Sequence, residues 1–266
     1  MSSFRMPSHR KLQHARQGTM GLLLILFLFF TYCHLVPAFN FEDRYDNSSL
    51  GACGNDIDCG ERCQRIYKMF KKENGKSPWT ARYPSIAKVL SDYDVKVSIE
   101  VGVGRGGLSH YILSTVNSVE VHHGIDTFSR SNSISAPPKR SSASIEWARA
   151  VLKHMSDFHC RFRLHMGTSI EMAADFDLES VDSVYFDADH SFDGMTADII
   201  SYARILKPGG IMIFDDYDEL DFYGVRRAIE NFATANKLSI MRINDEGNVM
   251  VVKPFERMLN LTLISS

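Results

Sequence analysis

From residue 95 to residue 252, short β-branched and aromatic runs alternate with stretches of helical apolar spacing. That alternation is the strongest constraint on the fold. Strands are predicted at 95–101, 119–125, 162–166, 181–186 and 211–214, and helices at 84–90, 108–115, 145–158, 195–206 and 223–235. Strands joined through helices pair in parallel, because the crossover returns the chain to the edge it started from. The run 211–214 is apolar throughout, as a strand covered on both faces should be. The pattern changes at the end. Residues 238–243 and 249–252 flank a turn from Asn244 to Asn248, so a hairpin adds an antiparallel strand. The predicted class is α/β, a doubly wound and mostly parallel sheet with a C-terminal antiparallel hairpin strand. An N-terminal hydrophobic anchor precedes it.

The sharpest local motif is Glu100, Gly102, Gly104, Gly106 and Gly107, placed after a strand and before a helix. Glycines there allow a tight turn and close approach of a ligand to the backbone. Asp126 closes the next strand, where a carboxylate can accept both hydroxyls of a ribose. Gly102, Gly104 and Gly107 also satisfy the dinucleotide pattern, so the loop alone leaves two ligands open: a dinucleotide or S-adenosylmethionine. Glu100, two residues before the first glycine, favours the second, since a carboxylate there suits the amino-acid end of a sulfonium ligand.

A second cluster is acidic. Asp187, Asp189 and His190 end the fourth strand, and Asp215 and Asp216 end the fifth. Neighbouring parallel strands bring their C-terminal ends together at the edge where open α/β sheets bind ligands. Asp187, Asp215 and Asp216 are therefore expected to converge and to need a cation between them. A hard, oxygen-ligated ion fits: Mg²⁺, with Mn²⁺ or Ca²⁺ as substitutes. Asp189 is read as a helix cap. His122 and His123 are read as core or surface histidines, and Trp147 as a packing residue.

On the glycine loop, its downstream acid and the paired acid motifs, the stretch 80–255 resembles the class I S-adenosylmethionine-dependent methyltransferases. The metal-assisted small-molecule O-methyltransferases of catechol, caffeoyl-CoA and macrolide-sugar type are the nearest in pattern. The resemblance implies a Rossmann-like sheet. It implies S-adenosylmethionine held by Glu100, Gly102, Gly104, Gly106, Asp126 and Ser169, with Ser169 beside the adenine. It implies a divalent metal on Asp187, Asp215 and Asp216, with catalysis centred on Asp187 and on His190 as general base. His190 stands where catechol-type enzymes carry a lysine. The implied reaction is O-methylation of a sugar, glycan or small-diol hydroxyl. Other readings are a catalytically silent module of the same fold, a related metal-bound hydroxylase, or a nicotinamide oxidoreductase. The last lacks an evident Tyr/Lys or Cys/Zn set.

The N-terminus sets the compartment. Residues 1–19 are polar and basic, residues 20–38 form an uncharged apolar run, and acids follow at Glu42, Asp43 and Asp46. The charge asymmetry keeps the head cytosolic and sends the rest across. A retained signal anchor would give a single-pass type II membrane protein of the ER or Golgi with a lumenal catalytic domain. Cleavage near Val36–Ala38 would give a secreted one. Sequons at Asn47 and Asn260 agree with that compartment, as does the even count Cys53, Cys59, Cys63 and Cys160, read as two disulfides of open pairing. Residues 39–77 read as a cysteine-containing lumenal stem, 78–256 as the methyltransferase-like domain and 257–266 as a tail. The formal net charge of -2 argues against a nucleic-acid partner.

Overall fold

The computed structural model describes residues 59–73, 80–129, 142–256 and 258–261. The apolar run at 20–38, Asn47, Cys53, most of the 129–144 connection and Thr262 of the second sequon lie outside them. Among the described residues, no helix is long and apolar enough to cross a membrane.

The elements follow in the order α1 (Glu61–Glu73), α2 (Tyr83–Asp92), β1 (Val97–Val101), α3 (Gly107–Thr115), β2 (Val121–Asp126), α4 (Ser142–His154) and β3 (Phe162–Met166). Then come α5 (Ser169–Ala173), β4 (Val181–Phe186), α6 (Phe192–Ile205), β5 (Leu206–Phe214), α7 (Tyr223–Ala235), β6 (Met241–Arg242) and β7 (Val249–Val252). They form a seven-stranded sheet in the order β3-β2-β1-β4-β5-β7-β6. β1 to β5 are mutually parallel, and β7 is antiparallel to both β5 and β6. The α/β expectation, with its antiparallel C-terminal hairpin, describes this sheet.

The chain starts in the middle, winds outward to β3, then returns to lay β4 against the other side of β1. The crevice between β1 and β4 is the switch point where such sheets bind ligands. Backbone hydrogen bonds continue past the strand ends there. The Gly102 N–H donates to the Ile125 carbonyl (2.8 Å), Asp187 N–H to Val101 (2.8 Å) and Asp215 N–H to Phe186 (3.1 Å). The glycine loop and both acidic strand ends are thereby fixed side by side.

Alternation along the strands builds two cores. Val184, Phe186, Met212 and Phe214 face α6 and α7, meeting Ile199, Tyr202, Ile229 and Phe232. Tyr185, Ile211 and Ile213 belong to the opposite core, with Phe70, Ile86, Leu90, Ile112 and Val151. Both strand faces are covered, which is why these strands read as continuous apolar runs.

Three differences from the sequence expectation have physical causes. Residues 61–73, assigned to a stem, are helix α1. It buries Cys63, Ile66 and Phe70, a stripe at helical spacing inside an otherwise charged segment. A Cys59–Cys63 disulfide ties its first turn, and Phe70 packs edge-on against Trp147 at 5.5 Å. β5 begins at Leu206, directly after α6, not at Ile211. Leu206 pairs with Val181, and the ladder shifts before Ser183, with Gly209 at φ 78° absorbing the irregularity. β6 is two residues long, shorter than the predicted 238–243.

Arg161 closes the end of α3 from β3. Its guanidinium donates to the carbonyls of Leu113, Val116 and Val119 at 2.6–3.1 Å. These carbonyls lie at and just beyond a helix terminus whose last acceptors lack helical partners. Arg161→Met should lower unfolding free energy by about 2–3 kcal/mol, as expected for loss of charge-assisted bonds to buried carbonyls. A urea denaturation series checks this.

Candidate functional site

The glycine loop is shaped by a close approach. Gly102 has φ 96°, and a Cβ there would lie 1.8 Å from the Asp187 carbonyl oxygen. Its glycine is required by the neighbouring strand end. Gly104, at φ 54°, is different: nothing lies within 4 Å of the Cβ it lacks, so its face is open. The loop is braced from behind. Asp126 accepts from Gly104 N–H (2.7 Å) and from Phe128 N–H (2.6 Å), while the Trp147 indole donates to the Gly104 carbonyl (2.9 Å). Burial raises the Asp126 pKa, and those two amide bonds oppose the shift. Trp147, read mainly as a packing residue, thus also holds the loop. Gly106 supplies the left-handed residue (φ 75°) that starts α3.

Two residues assigned to the cofactor face elsewhere. Glu100 is buried and accepts from the Ser109 hydroxyl, and its carboxylate lies 3.4 Å from His122 Nε2. His122 Nδ1 in turn meets Ser98 Oγ at 2.7 Å. Residue alternation along β1 turns Glu100 into this interior network under α3, which engages its Oε2. Burial pushes its pKa up. Ser169 donates its hydroxyl to the buried Asp198 carboxylate, so its side chain is not offered to an adenine. The N-cap of α5 is Thr168, which forms a reciprocal capping box with Glu171. The N-cap of α6 is Ser191, whose hydroxyl accepts from Gly194 N–H, and not Asp189, which accepts from Ser191 N–H (2.8 Å) in the turn before the helix. His123 pairs with His165 at 2.9 Å beside Phe176, away from any ligand role.

The acidic cluster assembles and divides. Asp187, His190 and Asp216 each offer a ligand atom, all within 4.8 Å of one another. His190 Nε2 lies 2.8 Å from Asp216 Oδ2 and 3.5 Å from Asp187 Oδ1, and its ring stacks on Phe222 at 4.2 Å. Asp216 holds its position with φ 56°, an uncommon left-handed conformation for a side chain to adopt. Asp215 is not part of that group. Its Oδ2 lies 2.5 Å from Arg82 Nη1, and its Oδ1 accepts from Asn248 Nδ2 at 2.8 Å. Arg82 also donates to Asp187 Oδ2 at 3.1 Å. The expected trio Asp187, Asp215 and Asp216 is thus replaced by Asp187, His190 and Asp216, while Asp215 is ion-paired with Arg82 and hydrogen-bonded to Asn248. Burial and the nearby Asp187 push the Asp215 pKa up, against the pull of Arg82.

Sequence reasoning missed Arg82 and Asn248. Arg82 is the N-cap residue of α2, 105 positions before Asp187. Asn248 is fully buried at the start of β7. No local pattern marks either one, although the Asn244–Asn248 turn was visible as a turn. The donor set that remains, two carboxylates and an imidazole, suits a divalent ion such as Mn²⁺. Without an ion, hydrogen bonds to Asp187 and Asp216 raise the His190 pKa from 6.5 to about 10. In that arrangement the two carboxylates favour the protonated ring.

Residues 99–217 match the family model of a methyltransferase domain. No curated protein matches the chain. Among solved structures, an O-methyltransferase from Bacillus cereus in complex with SAH superposes with a TM-score of 0.52 at 15% identity, covering 72% of this chain and 90% of that one. A Staphylococcus aureus protein assigned as a caffeoyl-CoA O-methyltransferase gives 0.53 at 15% identity, covering 87% and 99%. An assigned O-methyltransferase from Klebsiella pneumoniae gives 0.54 at 13% identity, covering 73% and 90%.

Two outcomes are expected here. Gly104→Val, which forces a branched side chain to φ 54° on the open face of the loop, should weaken S-adenosylmethionine binding at least ~100-fold by calorimetry while the thermal midpoint shows a stable fold. In ion-free protein the His190 ring should stay protonated through neutral pH. With a folded pKa above its ordinary 6.5, its stabilising contribution is full below that value and fades as pH rises through about 10. Histidine NMR resonances, assigned with His190→Gln, report the midpoint.

Proposed function

We propose, for a chain whose residues 99–217 are a methyltransferase domain of the class I, S-adenosylmethionine-dependent O-methyltransferase fold, transfer of a methyl group to a hydroxyl with help from a divalent ion. The observation that carries this reading is the meeting of Asp187, His190 and Asp216 beside the open glycine loop. The loop from Gly102 to Gly106 would seat the cofactor, and Asp126, already oriented by two amides, would face its ribose. Asp187, His190 and Asp216 would hold the ion, Mg²⁺ or, given the imidazole, Mn²⁺. When bound, such an ion lowers the pKa of a hydroxyl and orients it. His190 Nε2 would release its proton as the ion binds, because a metal ligand must be deprotonated.

The acceptor hydroxyl belongs, on this reading, to a sugar, a glycan or a small diol. Beside Phe222, which fixes His190, Leu220 and Tyr223 are 90% and 65% exposed. Lumenal placement behind an N-terminal anchor is part of the same proposal. The apolar run at 20–38 and the Cys59–Cys63 disulfide support it, since such bonds persist in oxidising compartments.

The test incubates the purified protein with methyl-labelled donor, Mn²⁺ or Mg²⁺, and panels of glycans and catechols. Label should appear on a hydroxyl, vanish in chelator and return with the ion. Asp187→Asn should lower the rate by about 10²–10³-fold, the range seen when a positioned electrostatic group is removed. Full turnover in chelator would remove the ion from the mechanism, and label on no acceptor would remove the activity.

A further inference from the structure

Arg82 stands where a cation between two acidic strand ends would stand. Its guanidinium lies 3.1 Å from Asp187 Oδ2 and 2.5 Å from Asp215 Oδ2, and its side chain is only 12% exposed. The carboxylate oxygens are shared out without overlap. Asp215 gives one oxygen to Arg82 and the other to the Asn248 amide. Asp187 gives Oδ2 to Arg82 and turns Oδ1 towards His190. Asp216 faces His190 alone. The backbone that carries Arg82 is held from its own helix: Ser85 Oγ donates to the Arg82 main-chain carbonyl (2.7 Å) and receives Asn244 Nδ2 (2.7 Å). Asn244 in turn bonds Asn248, so the turn that fixes Asn248 also fixes the start of α2.

We propose that Arg82 is a specificity-determining residue of this site, a built-in cation that withholds Asp215 from the metal and confines the ion to Asp187, His190 and Asp216. The inference rests on the divalent-ion reading above. A planar, permanently charged fork can bridge two carboxylates at once, which a lysine cannot. Its charge also opposes entry of a second cation nearby. Removing one carboxylate leaves a set of two oxygens and one nitrogen, which favours Mn²⁺-like ions over Mg²⁺ or Ca²⁺.

Manganese binding, read by electron paramagnetic resonance and calorimetry on the full chain, tests this without reference to turnover. In the wild-type background, Asp215→Asn should change Mn²⁺ affinity by less than threefold. Arg82→Gln should tighten Mn²⁺ at least tenfold and bring Mg²⁺ binding with it. Adding Asp215→Asn to Arg82→Gln should abolish that gain, which a merely structural role for Arg82 would not produce. Arg82→Lys, whose ammonium reaches one carboxylate at a time, should show an intermediate gain and serves if Arg82→Gln does not fold. Unchanged or weaker Mn²⁺ binding in the folded arginine variants, or a gain that survives the double substitution, overturns the proposal. The two readings separate: a wild-type protein that binds no Mn²⁺ refutes the divalent-ion function, whereas a gain on Arg82→Gln supports the role of Arg82 and its absence refutes it.

Discussion

Three carboxylates crowd the adjoining ends of β4 and β5, and the surrounding architecture is arranged to make that crowding tolerable. Like charges at this distance and burial raise one another's pKa unless opposite charge intervenes. The chain supplies that charge from two directions. Arg82 arrives from the start of α2 and spans Asp187 and Asp215. His190 arrives from the loop after β4 and spans Asp187 and Asp216. Asp187 is the shared member, which places it at the centre of both pairs. The division splits the acidic patch into one part closed by Arg82 and Asn248 and another in which His190 meets Asp187 and Asp216.

The same economy governs the cofactor side. Asp126 and Trp147 hold Gly104 by its amide and its carbonyl, so the protein's own hydrogen bonds set the shape of the loop. Such preorganisation reduces the ordering cost of binding. Glu100, the acid of the loop motif, instead anchors α3 through Ser109 and the buried His122. The helix whose N-terminus faces the crevice is thus tied to β1 beneath it and to Arg161 at its far end. The N-terminal helices belong to this frame too. α1, in the segment read as a stem, packs Phe70 edge-on against Trp147, and α2 delivers Arg82.

What could be read in advance followed from local rules. The runs at 162–166 and 181–186 became β3 and β4 with the same bounds: the first alternates apolar Phe162, Leu164 and Met166 with polar residues, and the second carries Val181, Val184, Tyr185 and Phe186. Asp187, His190 and Asp216 were recognisable because they sit at strand ends where parallel topology must gather them. The errors have equally local causes. α1 was missed since its apolar stripe is three residues wide within a charged segment. β5 was begun too late because Pro208, Gly209 and Gly210 look like an ending, whereas the sheet absorbs them as an irregular ladder. Ser169 was placed at the adenine by resemblance, though Asp198, 29 residues on, takes its hydroxyl.

The sequence by itself determined the sheet, its parallel order of winding, the glycine turn and the presence of acids at two neighbouring strand ends. Those features depend on residue periodicity and on short-range backbone chemistry, which a linear string carries in full. Only the tertiary structure decided which acids remain available. That choice turns on where a guanidinium from a helix more than a hundred residues upstream comes to rest. It turns equally on an amide in the C-terminal hairpin that fills the last oxygen of Asp215. Charge compensation acts through space over a few ångströms, and no spacing along the chain encodes it.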